Sequence, residues 1–482
     1  MSVRTATTTL HRRSQRRTSA LAVVACAALL ASACTRSSDE VETGTPVTAA
    51  SNATTSTSKG SPAAGDFGDL KGVCGPGDAS GATAQGVTND AIQIGTIADP
   101  GFVGRSGLNQ EVFDATEVFT TWCNKAGGIN GRKIKLVERD AKLTEYKQRV
   151  TEACQEDFML VGSGGVFDGT GQAERLGCLL PEIPAFQVTP EARDSDLAVR
   201  PLPTAVNELP VNTLQYLEKN FPGSTDQVGF VTGNLASLVF VDAQLQEGAS
   251  ALGWTTAYQA QYNTLGEPSW TPLAQALKSA KVRGLVYTGE PENLAKLLQA
   301  MVDIDYQPDW VLGGANVIDQ RFIDIGGKAI NNVYATTAVV PAFLADKNPA
   351  TQQYLDLFEQ YLPDGKSKAL LGYNSFSAWL LFATAAGECG SDVTRKCVFE
   401  AAQNITKWTG GGLHAESNPG KSKYPRCSMV IEATPDGFVI PDKFEATDGL
   451  FTCSDDSVLT LKKNYGTGAT LESVGKSIDD LE

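Results

Sequence analysis

Histidine is almost missing from this chain: two in 482 residues, His11 and His414. No two cysteines stand at CxxC spacing, so a zinc site, which needs clustered Cys and His, is not expected. Nucleophilic catalysis is poorly supplied as well. No Gly-x-Ser-x-Gly elbow occurs, and a Ser-His-Asp triad would depend on His414, which reads as a solvated loop histidine between Gly410-Gly411-Gly412 and Ala415-Glu416-Ser417. The glycine-rich run Val161-Gly162-Ser163-Gly164-Gly165 is not followed at P-loop spacing by Gly-Lys-Ser/Thr. Basic residues are outnumbered, 40 against 55 acids, for a net charge of −15. Such a chain is not drawn to phosphate backbones, and nucleic acid is not an expected partner. No cofactor and no metal are expected, and the protein is not expected to be an enzyme.

What is present begins at the N-terminus. Five arginines (Arg4, Arg12, Arg13, Arg16 and Arg17) precede an apolar run, Ala20 to Ala31, and then Ser32-Ala33-Cys34. The run is about twelve residues, short of the roughly twenty that span a bilayer, so it reads as an export signal. Basic, then apolar, then small–small–Cys resembles a bacterial lipoprotein signal, which implies cleavage after residue 33 and lipidation of Cys34. Leu30 lies one residue further from the cysteine than the usual lipobox aliphatic, and Cys26 is a rival that would halve the apolar run. Removing residues 1–33 takes the net charge to −20. Residues 34–70, rich in Thr, Ser, Ala and Gly, read as a disordered tether.

Eight cysteines remain after Cys26 and Cys34, an even number that favours disulfides in an exported chain. Eight allow 105 pairings, and pairing of sequence neighbours is expected: Cys74–Cys123, Cys154–Cys178, Cys389–Cys397 and Cys427–Cys453.

From Val87 strands and helices alternate. Ala91–Ile97 reads as a first strand, followed by a Gly-rich loop from Asp99 to Asn109. A helix carrying Val112, Ala115, Phe119 and Trp122 on one face ends at Gly127-Gly128, and Lys133–Val137 forms the next strand. Further strands are expected at 158–161, 185–188, 228–232, 284–288 and 310–312. A helix turns Leu294, Leu297, Leu298, Met301 and Val302 inward. This alternation, over a folded part of roughly 370 residues, implies an α/β fold of two lobes with parallel sheets covered on both faces.

The strand Ile92-Gln93-Ile94-Gly95, its Gly-rich loop and the turn Asn124-Lys125-Ala126-Gly127-Gly128-Ile129-Asn130-Gly131-Arg132-Lys133 resemble the branched-chain amino-acid-binding type of ABC-transporter solute receptors. Pro291-Glu292 opening a helix toward Leu297-Leu298-Gln299-Ala300 also fits, and the likeness runs from about Val87 to about Phe438. The resemblance implies a type I periplasmic-binding-protein fold: two doubly wound parallel-sheet lobes, 87–206 with 338–412 and 207–337 with 413–455, joined by three crossovers. The segments Arg200–Thr204 and Thr336–Pro341 would be two of these, and 456–482 is left as a polar tail. It also implies a small polar solute, an amino acid or a related amide or organic acid, and an ABC permease as membrane partner. A ligand sensor of the same fold is the alternative reading, and an exported hydrolase a second one.

By position, the ligand loops of lobe one would be Val166–Gly171, with Phe167, Asp168, Gly169 and Thr170, and Phe186–Pro190, with Gln187, Val188 and Thr189. Thr170 and Thr189 would supply hydroxyl donors. In lobe two the pattern departs. Ser237 stands where the family has an aromatic, a second aromatic position falls at Gly289-Glu290, and the acid that takes the ammonium falls near Ala315, beside Asn316. Glu290 or Asp168 could replace that acid. The departure points away from a branched-chain amino acid. Arg105, in the first Gly-rich loop, could pair with an anionic group or lie exposed.

Overall fold

The computed structural model describes residues 64–482. Cys34, the signal segment and most of the tether lie outside the described residues.

Four strands, β1 (Ala91–Ala98), β2 (Lys133–Asp140), β3 (Met159–Val161) and β4 (Glu182–Ile183), form a parallel sheet in the order β2-β1-β3-β4. After β5 (Glu208–Pro210) a second sheet is built from β6 (Val228–Gly233), β7 (Thr256–Tyr262), β8 (Gly284–Thr288), β9 (Trp310–Leu312), β10 (Val333–Thr337), β11 (Cys427–Thr434) and β12 (Gly437–Val439). Its order is β12-β11-β10-β9-β8-β6-β7, parallel from β7 to β10 and antiparallel beyond. The central strands β6 and β8 are buried at every residue, as strands covered on both faces must be. The edge strand β2 keeps exposed positions.

The chain passes from the first sheet to the second after β4. It returns after β10 to lay helix Leu370–Glu388 on the first lobe, where Ser375 Oγ reaches Gly162 O, and it enters the second sheet again at β11. Those are the three crossovers. Among the described residues, no helix is long and apolar enough to cross a membrane.

The Gly127-Gly128 turn has a steric cause. Both glycines have positive φ, Gly128 N–H closes the helix on Cys123 O at 2.8 Å, and a Cβ on Gly128 would overlap Arg132 O. All four disulfides join sequence neighbours: Cys74–Cys123, Cys154–Cys178, Cys389–Cys397 and Cys427–Cys453.

Five expectations need correction. The strand expected at 185–188 is instead Glu182–Ile183; Pro184 has no N–H to donate, and beyond it Ala185 N bonds to backbone, Ser163 O at 2.8 Å, while Val188 N bonds to a side chain, that of Asp168. Val302 is exposed while Leu294, Leu297, Leu298 and Met301 are buried: it is the second-last residue of helix Pro291–Asp303, and the buried face does not extend to the helix end on its side. The tether ends before residue 70: Phe67 is fully buried with its ring 4.9 Å from that of Phe376, and Ala64 O accepts from Trp122 Nε1. Phe67, with Leu70 packed beside it and Cys74 close behind, docks the segment.

The polar tail is docked too. Just before it, β13 (Thr452–Cys453) pairs with β11; within it, β14 (Val458–Thr460) pairs with β5, and Leu471 and Leu481 are buried. Finally, His414 is buried rather than solvated. Its Nε2 lies 2.8 Å from Ser377 Oγ and its Nδ1 faces Ala415 O, and burial pushes its pKa down to about 4. The triple glycine lets the chain fold back over it; a Cβ on Gly410 would crowd the imidazole.

Candidate functional site

A cavity of about 1110 Å³ opens between the lobes, past the carboxyl ends of β1, β6 and β8, where parallel sheets bind ligands. The first lobe contributes Phe102, Leu108, Val166, Phe186 and Val188, with Leu370 and Leu371 from the start of the long helix. The second contributes Leu235, Leu238, Leu265 and Ile318. Leu202, Thr336 and Val339 close the back, where the chain crosses over. The lining is mostly apolar.

At the mouth the lobes are joined by charge. Arg105, between β1 and the next helix, donates from Nη2 to both carboxylate oxygens of Glu292, at 2.9 and 3.0 Å, and pairs with Glu290 through Nη1. Arg321 shares Glu292 at 3.4 Å and also holds Asp319, while Lys366 faces Glu111 at 3.7 Å. Burial pushes the Glu290 carboxyl above its usual range, with Arg105 opposing. Burial would do the same to Glu292, but Arg105, the residue's own backbone N–H and Arg321 together outweigh it and the pKa is lowered. Arg105 is thus neither solvent-exposed nor free for a ligand anion.

Of the expected ligand residues, Val188, Ser237, Glu290 and Asn316 lie on the cavity wall. Phe167, Asp168, Gly169, Thr170, Gln187 and Thr189 do not. Asp168 is buried and accepts from Val188 N, Thr189 N and Thr189 Oγ1 at 2.7–3.1 Å, which ties the two loops together. Thr170 Oγ1 is turned back to Phe167 O, and Gln187 donates to Glu182. Gly169 packs its Cα against Thr189, where a Cβ would crowd the hydroxyl. These are loop braces. Position along the chain located the loops; it could not say which way their side chains turn.

In the second lobe, Asn316 Nδ2 donates to Gly289 O at 3.0 Å. No aromatic fits at Gly289, because even a Cβ would overlap Tyr262 Oη. Tyr262 is stacked on Tyr287, rings 5.5 Å apart, with their hydroxyls 2.6 Å from each other. Ser237 stands in the first turn of helix Ala236–Ala251, and its buried hydroxyl has no partner among the described residues.

Sequence reasoning missed Arg193, at the end of the short helix Pro190–Arg193. Its side chain is buried on the cavity wall, donating from Nη1 to Gln244 Oε1 at 3.2 Å, with its guanidinium 4.9 Å from the Phe240 ring centroid. No sequence signal marks it. Also missed were the apolar walls, whose residues come from at least six separate segments.

A cleft between two parallel-sheet lobes, with three crossovers behind and contacts in front, defines the two-lobe class of α/β binding proteins. The chain belongs to the periplasmic binding protein family, whose profile matches residues 91–437. No curated protein matches it. Among solved structures it is similar to a fatty acid ABC transporter substrate-binding protein from Thermomonospora curvata, at 18% identity and TM-score 0.65, covering 78% of this chain and 97% of that one. It is also similar to the leucine-binding protein LivK from Thermotoga maritima (14%, TM-score 0.61, 76% and 100%). A third is the branched-chain amino-acid-binding LivJ from Streptococcus pneumoniae, in complex with isoleucine (13%, TM-score 0.59, 73% and 100%). At these identities the likenesses establish the fold.

Proposed function

We propose that the protein captures a solute with a large apolar body in its interlobe cleft and presents it to an ABC permease for import. The observation that carries this reading is the cavity itself. Its volume of about 1110 Å³ stands just above the roughly 300–1,000 Å³ usual for small-molecule sites, far more than a free amino acid fills. The wall is apolar over most of its area, with amides and hydroxyls such as Asn234, Asn263 and Thr337 set into it, which suits an apolar body carrying a polar group better than a wholly polar solute.

The polar side argues the same way. An amino acid's ammonium needs a carboxylate, and the two acids that could replace the missing one are engaged: Asp168 by the 188–189 backbone, Glu290 by Arg105. The Thermomonospora curvata neighbour is named for fatty acid transport, which agrees with an apolar ligand. Closure is a population shift: a solute touching both walls stabilises the closed form that the permease reads. No bond is made or broken, and the Ser377–His414 pair is sealed away from the cavity.

Thermal shift of the full chain tests the reading. None of the six tryptophans lines the cavity, which makes intrinsic fluorescence the weaker probe. Apolar carboxylates, alcohols and amides are compared with L-leucine and other amino acids. A ligand at a hundred times its Kd adds about 2.7 kcal/mol and raises Tm by several degrees. A rise with amino acids alone would refute the solute class; no rise across the whole panel would refute capture. Anchoring through a lipid on Cys34 is part of the proposal, and Cys34→Ala should then release the protein from membranes.

A further inference from the structure

We propose that Arg193 is the anchor for a negative charge on the solute, so that the cleft selects an organic monoanion, such as a carboxylate, over an uncharged molecule of the same apolar shape. This rests on the capture reading above.

A buried guanidinium needs its donors satisfied and its charge offset. The other buried arginines meet that need within the protein. Arg132 donates to four backbone carbonyls, Arg139 is forked onto Asp157, Arg175 reaches four carbonyl and side-chain oxygens besides Gln172, and Arg200 reaches Ala198, Ala192 and Ser195. Arg193 is the exception. It is 7% exposed, makes one hydrogen bond, to Gln244, and leaves its buried Nε without a partner. It has no ion pair among the described residues. Two nearby acids do not neutralise it: Asp194 accepts from Val206 N and Asp242 from Gln246 through one oxygen each, and although the other oxygen of each is buried without a partner, neither acid is within ion-pair distance of Arg193.

Arg193 is also the one of these buried arginines that lines the cavity. The other cavity cations are accounted for: Arg105 and Arg321 by Glu290, Glu292 and Asp319, while Lys296 is exposed. A second observation points to the same place. Arg193 packs on Phe240 and Gln244 of helix Ala236–Ala251. Ser237, three residues before Phe240 and seven before Gln244, lies on that same helix face. Its hydroxyl, on a residue 5% exposed, has no partner among the described residues, and it stands in the first turn, where free amides and the helix dipole favour an anion. A guanidinium, a hydroxyl and a helix N-terminus on one stretch of the wall suit a carboxylate head, and the apolar side chains of Phe186 and Leu235 suit its hydrocarbon.

The test measures binding of decanoate, decanol and L-leucine to the full chain by calorimetry, with Arg193→Gln, Arg193→Lys and Ser237→Ala, each checked for native melting. Losing a charged hydrogen-bonding partner costs about tenfold to a hundredfold in affinity. Wild type should therefore prefer decanoate to decanol by at least about tenfold. Arg193→Gln should abolish the preference while decanol binds as before, Arg193→Lys should keep part of it, and Ser237→Ala should reduce it. Equal binding of decanoate and decanol by wild type would overturn the anchor and leave capture standing. Equal loss of both ligands in Arg193→Gln would overturn it in favour of a lobe-bridging role for Arg193. Binding of leucine alone would overturn both the anchor and the apolar class. If no probe binds, the anchor fails, and the wider panel above decides on capture itself.

Discussion

Arg105 and Glu292 close the mouth of the cleft from opposite lobes, the guanidinium donating to both carboxylate oxygens at 2.9 and 3.0 Å with each side chain about one-fifth exposed. Glu290 takes the same arginine from the adjoining position. The contact crosses the cleft, so any parting of the lobes at the mouth would have to break it.

The two partners of this bridge are not equivalent. Arg105→Met leaves Glu290 and Glu292 close together and partly buried, and should cost about 2 kcal/mol. Glu292→Gln leaves Arg105 with Glu290 and should cost about 1 kcal/mol. Lowering the pH should narrow the Arg105→Met deficit, because carboxyls whose folded pKa is raised take up protons in the folded state and gain stability as pH falls. Denaturant melts at pH 7 and pH 5 measure both effects; a smaller loss for Arg105→Met than for Glu292→Gln would rule out this account.

His414 predicts the opposite slope. Its pKa falls from 6.5 to about 4 on folding, chiefly through burial, so between those values the unfolded chain binds the proton and the folded chain does not. Stability from this residue is complete above pH 6.5 and is lost as pH falls toward 4, by about 3 kcal/mol in all. His414→Gln should flatten the stability–pH profile in that window. An unchanged slope would show that the imidazole is protonated in place.

Gly289 and Tyr262 should be energetically coupled. Gly289→Ala forces its Cβ onto Tyr262 Oη and should cost about 1–3 kcal/mol as overpacking. Tyr262→Phe removes the obstructing oxygen, so the double variant should lose less than the two single losses combined. Additive losses would show that the loop simply moves aside.

The Cys74–Cys123 bridge closes the longest loop, with a sequence separation of 49, against 8 for Cys389–Cys397. Chain entropy assigns about 4 kcal/mol to the first and about 2.6 kcal/mol to the second. Replacing Cys74 and Cys123 by serine should therefore destabilise more, and should expose Ala64–Val73 to protease while the rest of the lobe stays protected. Protection of that segment would mean that Phe67 alone holds it in place.

The strands that were legible in the sequence are those whose signal is local. β1, β6 and β8 are short apolar runs bounded by turns, and Gly127-Gly128 marks a helix end that only glycine tolerates. Disulfide pairing was legible because near neighbours in sequence are also the likeliest to meet. The site was less so. Thr170, Gln187 and Thr189 lie in the expected loops, but each is hydrogen-bonded within the loops or to the adjoining strand rather than on the cavity wall. His414 looked exposed among its glycines, whereas Ser377, 37 residues earlier in the chain, buries it.

What the sequence determined by itself is the architecture: alternating apolar strands and amphipathic helices require covered parallel sheets, and paired cysteines staple them. Only the tertiary structure decided the character of the cleft. Its apolar wall is assembled from segments as far apart as Phe102 and Leu371, and the bonding of Arg105 and Arg193 depends on partners across the lobes. Whether a charged side chain is neutralised or left to bind a solute is a property of its three-dimensional neighbours, and no local pattern encodes it.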